Sequence, residues 1–280
     1  MRTIHTKEIA ETVKKLCIEA NIYLGNDIKN AISLSKKKET SKTAKDILER
    51  LEENMQVAEK KEIPVCQDTG MAVVFVKLGQ DVHIEGGLLE DAINEGVSRG
   101  YTEGYLRKSI VKDPVRRGNT GDNTPAVIHY DIVAGEHIEI TVAPKGFGSE
   151  NMGALKMLKP SDGLDGIKEF VIETVKFAGA NPCPPIVVGV GIGGTMEKCT
   201  LLAKQALSID LNRENPDPFY AALERELLEK INETGIGVQG FGGRTTALGV
   251  KILTYPTHIA GLPCAVNINC HVTRHKTAIL

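Results

Sequence analysis

A-V-I-H-Y-D-I-V-A-G-E-H-I-E-I-T-V-A-P, residues 126–144, decides between two architectures. Two strand-like runs, Ala126–Val133 and Glu136–Pro144, are separated only by Ala134-Gly135. Parallel neighbours need a crossover of a dozen residues or more, so a link this short predicts an antiparallel hairpin. A hairpin breaks strict strand–helix alternation and turns the reading toward α+β.

The flanks agree. Upstream, Ile9, Val13, Leu16, Cys17 and Ala20 recur at helical spacing, as do Ala44, Ile47, Leu48, Leu51, Met55 and Ala58. These give a helical N-terminal part over about residues 1–62. A strand is predicted at Met71–Leu78, a helix at Gly87–Tyr105 and a long loop at Arg107–Ala126. Downstream, helices are predicted near 163–178, 196–208 and 216–234, with strands before Gly189, near Val250–Tyr255 and running into Cys270. The expected fold is α+β: a helical N-terminal segment, then mixed, largely antiparallel sheets flanked by helices, in one domain over residues 1–280.

Hydrophobic residues at 41% supply a core, and a net charge of −2 gives no footprint for nucleic acid. Lys36-Lys37-Lys38 reads as a solvated loop between helices. The N-terminus is polar and amphipathic, without a signal peptide, and no stretch approaches the ~20 apolar residues that span a bilayer. No membrane association and a cytoplasmic location are therefore expected, with the six cysteines reduced.

Gly189-Val-Gly191-Ile-Gly-Gly194 satisfies the dinucleotide fingerprint, and Asp210 stands where a ribose-binding acid belongs. The context argues against it, because Met196–Asp210 reads as one helix with no second strand for that acid to cap. Close strand–helix packing and anion binding at the helix start both remain open.

Cys17 falls on the first helical stripe and Cys199 within a helix, so both read as core. Cys66, Cys183, Cys264 and Cys270 lie at loop–strand junctions flanked by Pro or Gly, and none forms a C-x-x-C pair. Metal ligation and inert burial both remain open for these four. Cys66 stands in I-P-V-C-Q-D-T-G, where four functional side chains adjoin, and Cys183 in N-P-C-P-P, where prolines restrict the backbone.

Several motifs occur together in order: C-Q-D-T-G (66–70), Y-L-R (105–107), N-T-G-D-N-T-P-A (119–126), K-G-F-G-S (145–149), C-P-P (183–185), G-I-G-G-T (191–195) and I-N-C (268–270). As a set, the sequence resembles the α subunit, or N-terminal region, of class I iron–sulfur fumarate hydratases and L-tartrate dehydratases. The resemblance implies a [4Fe–4S] cluster held by Cys66, Cys183 and Cys270, with Cys264 as the near alternative to Cys270. Three ligands leave one iron open to act as a Lewis acid. It further implies Arg107, Gln67 and the backbone at Gly148 as contacts to a small dicarboxylate substrate, and Asp68 as the proton-transfer group. The other reading of Asp68 is an Asx-turn at the strand entry.

No second base is identifiable. The resemblance implies that a β subunit supplies it, in an α2β2 assembly. Reversible hydration of fumarate to L-malate is the leading expectation, and dehydration of L(+)-tartrate to oxaloacetate the alternative. A redox or sensor protein is the reading from a different class; an electron carrier gains from a fully ligated cluster. Arg116, Arg117, His271, Arg274 and His275 remain unassigned, with surface placement at least as fitting for the last three.

Overall fold

The computed structural model describes residues 2–280. Strand β1 (Arg2–His5) runs into α1 (Thr6–Ile22), and α2 (Asn26–Lys38) and α3 (Lys42–Lys61) follow. Next come β2 (Met71–Gly79), β3 (Val82–Glu85), α4 (Leu89–Glu103), β4 (Val127–Val133) and β5 (Ile138–Lys145). The chain continues through α5 (Phe147–Glu150), β6 (Ala154–Leu158), α6 (Gly163–Ala178), β7 (Ile186–Gly193), α7 (Met196–Ala206) and α8 (Pro218–Asn232). It closes with β8 (Ala247–Tyr255), β9 (Leu262–Asn269) and β10 (Lys276–Ile279). The fold is α+β with mixed sheets, as expected. Lys36-Lys37-Lys38 differs from its expectation: it forms the last turn of α2, where cations face the negative end of the helix dipole.

The chain divides into two compact units. The first comprises Met1–Leu24, Met55–Phe147 and Arg274–Leu280; the second comprises Gly25–Asn54 and Gly148–Thr273.

In the first unit the strand order is β10-β5-β2-β4. The expected hairpin is absent, because β2 lies between its two arms, parallel to β4 and antiparallel to β5. Strand β2 is apolar and buried at Ala72, Val73, Val74 and Val76, and pairing on both edges satisfies its backbone there. Residues 134–137 then bridge two strand spacings, about 9.6 Å, within reach of four extended residues. The end of β2 occupies the gap: Gln80 N–H donates to Val133 (2.8 Å) and Asp81 N–H to Gly135 (3.0 Å). Helices α1 and α4 share a core with this sheet through Val13, Leu16, Cys17, Val97 and Tyr101 against Val74, Val76, Ile138 and Ile140.

In the second unit the order is β6-β9-β7-β8, and β7 is buried at every residue. Its alternation separates two faces. Ile186, Val188, Val190 and Ile192 join α6 and α8 in the main core. On the other face Gly189 and Gly191 lie against α7. A Cβ at Gly191 would stand 2.1 Å from the Cys199 carbonyl oxygen, and one at Gly189 2.2 Å from that of Ala203. The fingerprint glycines thus serve close strand–helix packing. Asp210 lies in a turn beyond α7, accepting the Asn212 N–H at 2.7 Å. Gly191→Ala is expected to destabilise the protein by about 1–3 kcal/mol through overpacking. The check is a lower urea midpoint with an unchanged slope; an unmoved midpoint would show that α7 shifts without cost.

Among the described residues no helix is long and apolar enough to cross a membrane.

Candidate active site

Residues 66–70 form an irregular segment entering β2, with Cys66 and Asp68 half-buried, Gln67 exposed, and Thr69 and Gly70 buried. Gly70 has φ +77°, and a Cβ there would come within 2.8 Å of the Lys145 backbone, so this entry requires glycine.

The segment is gripped from behind at three consecutive carbonyls. Arg274 Nη2 donates to the Asp68 carbonyl at 2.5 Å. The Tyr101 hydroxyl lies 2.8 Å from the Thr69 carbonyl and 3.1 Å from that of Gly70. Asn123 Nδ2 also donates to the Gly70 carbonyl at 3.2 Å, while its Oδ1 accepts from Ser109 N–H at 2.7 Å. Tyr101 and Asn123 are wholly buried, and Arg274 is 5% exposed. Burial pushes the Tyr101 phenol far up, so it remains a protonated donor.

The Asp68 carboxylate is held at both oxygens by backbone amides. Oδ1 accepts from Gly70 N–H and Oδ2 from Phe147 N–H, each at 3.0 Å. The first contact is the Asx-turn; the second fixes the carboxylate beyond what a turn needs. The Thr69 hydroxyl donates to the Arg107 carbonyl at 3.0 Å, tying the Y-L-R loop to the same segment and leaving Arg107 exposed.

In the second unit, antiparallel pairing of β7 with β9 brings Cys183, just before β7, and Cys270, just after β9, to one end of the sheet. Cys183 is exposed and Cys270 half-buried. Cys183 has φ +54° and Gln239 φ +53°, both left-handed backbones that cost a non-glycine residue about 1–2 kcal/mol. Gln239 holds the Cys183 turn twice: its backbone N–H and its Nε2 each donate to the Pro184 carbonyl at 2.7 Å. His271 Nδ1 lies 3.0 Å from the Cys183 carbonyl and 3.2 Å from Gln239 Nε2, so the ring joins the turn at Cys183 to Gln239. The Val272 N–H donates to Cys270 Sγ at 3.3 Å, fixing the side chain just after β9. Gly148 is exposed in this unit, within the short α5.

The six cysteines form two groups. Cys17, Cys199 and Cys264 are fully buried, and burial pushes their thiols up to about 12, 11 and 12. A thiol sealed in that way stays protonated and inert. Cys66, Cys183 and Cys270 each retain exposure at a loop. The donor chemistry of these three fits an iron–sulfur group. No three or more His, Cys, Asp or Glu side chains among the described residues are gathered closely enough to hold a metal ion.

Of the unassigned residues, Arg116 is exposed and paired with Asp113 at 2.8 Å, and Arg117 is exposed. Arg274 is buried and His271 half-buried, and neither stands on the open surface. Sequence reading missed the bracing roles of Tyr101, Asn123, Arg274 and Gln239. Asn123 lay inside a quoted motif and Arg274 four residues past Cys270, but Gln239 sat in a glycine-rich stretch that signals only turns.

The comparisons with known proteins cover the whole of this geometry. The family described as Fumarate hydratase (Fumerase) matches residues 10–279. A Methanocaldococcus jannaschii protein provisionally named L(+)-tartrate dehydratase subunit alpha is 46% identical over 272 residues, 95% of each chain. L(+)-tartrate dehydratase subunit alpha of Escherichia coli O157:H7 is 33% identical over 277 residues, 98% of this chain and 91% of its own. That of Escherichia coli K12 is 32% identical over 276 residues, with the same coverage. With a match that spans nearly every residue from α1 to β10, the chain belongs to the class I fumarate hydratase and L-tartrate dehydratase α-subunit family.

Proposed function

We propose that this chain is the α subunit of an iron–sulfur hydro-lyase that dehydrates L(+)-tartrate to oxaloacetate. The observation that carries the substrate is the near-full-length similarity to relatives named as L(+)-tartrate dehydratase α subunits, which moves the reading from fumarate to the alternative. Fumarate hydration is kept as the second reading, since the matching family is described as fumarate hydratase. Tartrate dehydration and the reverse of fumarate hydration each remove a hydroxyl and a neighbouring C–H proton from a four-carbon dicarboxylate.

Cys66, Cys183 and Cys270 would hold a [4Fe–4S] cluster, whose iron without a protein ligand would supply Lewis acidity toward the substrate hydroxyl. The separation of exposed from sealed thiols supports these three over Cys264. The strained backbone at Cys183 supports a functional turn there, because strain of this kind persists where the surroundings over-determine it.

The chain's own residues do the remaining work on this side of the substrate. The exposed Arg107 guanidinium offers a planar fork to one carboxylate, and Gln67 and the Gly148 N–H orient the rest. Asp68, fixed by the Gly70 and Phe147 amides, would exchange a proton with the leaving or attacking water: its carboxyl form gives one to the departing hydroxyl, and its carboxylate takes one from the attacking water in the reverse direction. The base that removes the C–H proton belongs to a β subunit, a partner supported by the "alpha" in the relatives' names. An α2β2 stoichiometry follows from the family resemblance.

The deciding experiment is anaerobic co-expression with the β polypeptide and assay on L(+)-tartrate and L-malate. A site that hydrogen-bonds the second hydroxyl should prefer tartrate in kcat/KM by at least about tenfold, because malate leaves that polar contact unpaired. Preference for malate would return the assignment to fumarate hydration.

A further inference from the structure

Strand β4 is one edge of the four-stranded sheet in the first unit, with β2 as its neighbour. Natural edge strands are blunted by lysine, proline, bulges or a covering element. Strand β4 has seven residues in unbroken register with β2 and contains no Lys, Pro or Gly. Val127 (37%), Tyr130 (45%), Ile132 (74%) and Val133 (37%) are exposed on it.

The direction of its outer hydrogen-bonding groups follows from the ladder. Gln80 N–H donates to the Val133 carbonyl, so Val133 directs its polar groups toward β2. Alternation then turns the N–H and C=O of Ile128, Tyr130 and Ile132 away from β2, outward from the sheet.

The sequence of the strand, V-I-H-Y-D-I-V, is a chemical palindrome about Tyr130. We infer that β4 is a self-association edge, on which a second copy of this chain lays its own β4 antiparallel across a two-fold axis at Tyr130. In that register Val127 faces Val133, Ile128 faces Ile132 and His129 faces Asp131, each pair occurring twice as an isologous contact requires. The outward groups of Ile128, Tyr130 and Ile132 meet their counterparts, and two four-stranded sheets become one of eight. A two-residue shift one way sets Asp131 against Asp131; the same shift the other way sets His129 against His129 and Asp131 against Val127. The imidazole–carboxylate pairing of His129 with Asp131 thus selects the symmetric register. Phe75 supports it from β2, stacking on the His129 ring at 5.6 Å and 18°.

Sedimentation of the full chain, with mass 30.3 kDa, tests this. The expected species is a dimer. His129→Asp places like charges opposite each other and should raise the dimer dissociation constant at least about tenfold. Adding Asp131→His restores the pairing in reverse and should recover association. Ile132→Pro removes an outward N–H at a position where an edge strand tolerates proline, and should give a folded monomer by circular dichroism. An arm without substitutions is amide exchange: Ile128, Tyr130 and Ile132 should be protected in the dimer and exchange faster on dilution. A monomeric wild-type chain, a dimer indifferent to these substitutions, exchange at those amides independent of concentration, or protection that appears only with the β polypeptide would each overturn the inference.

Discussion

Asp68→Asn, assembled with the partner subunit and loaded with the proposed cluster, is expected to lower kcat by about 10²–10⁴-fold, the range for a removed general acid–base. The substitution is close to isosteric, so most of the segment's bracing survives. Arg274, Tyr101 and Asn123 hold main-chain carbonyls that the change does not touch. The amide oxygen can still accept from Gly70, but its NH2 then faces the Phe147 N–H, which loses its acceptor. That lost hydrogen bond costs about 1 kcal/mol of stability, too little to unfold the protein. The effect should therefore fall on kcat, with KM changed far less. Steady-state kinetics on enzyme of matched iron content make the comparison. A kcat within about twofold of wild type would reduce Asp68 to the Asx-turn that also fits its sequence context.

Cys183→Ser and Cys264→Ala should give opposite results although both cysteines stand beside prolines. Serine at 183 replaces an exposed sulfur at a strained turn, and the reconstituted protein is expected to lose nearly all its iron and its cluster absorption. Alanine at 264 removes a sulfur from the β7–β9 core beside Val266 and Ile268. It should cost about 1–2 kcal/mol in a urea melt and leave iron binding intact. Full iron in the Cys183 variant, or its loss in the folded Cys264 variant, would refute the assignment of ligands.

Local periodicity made the helices legible, and topology is where local reading stopped. The stripe through Val13, Leu16 and Cys17 identified α1, and the interval 163–178 matches α6 residue for residue. The Ala134-Gly135 link suggested a hairpin because it is short, yet what fills the gap is β2, over fifty residues earlier in the chain. No pattern confined to residues 126–144 carries that information. The glycine fingerprint shows the same limit: strand, turn and helix were correctly placed, but the purpose of the glycines depends on how near α7 lies. At the site, reactive side chains announced themselves by type and company. Their supports did not, since Tyr101 looks like any helical aromatic and Arg274 like any surface cation until burial is known.

The chain passes between the two units four times, so neither is a continuous length of polypeptide. During synthesis this imposes an order of events. Strand β5 emerges with one sheet edge unfilled, and β10, which pairs there, is made only after residues 148–273 have followed. The sheet that carries Asp68 therefore waits for the last stretch of chain, and Arg274 arrives with it. A nascent chain of this protein must keep an open β edge from wrong partners throughout that delay, which predicts slow maturation and a demand for chaperones above that of a chain whose sheets close locally.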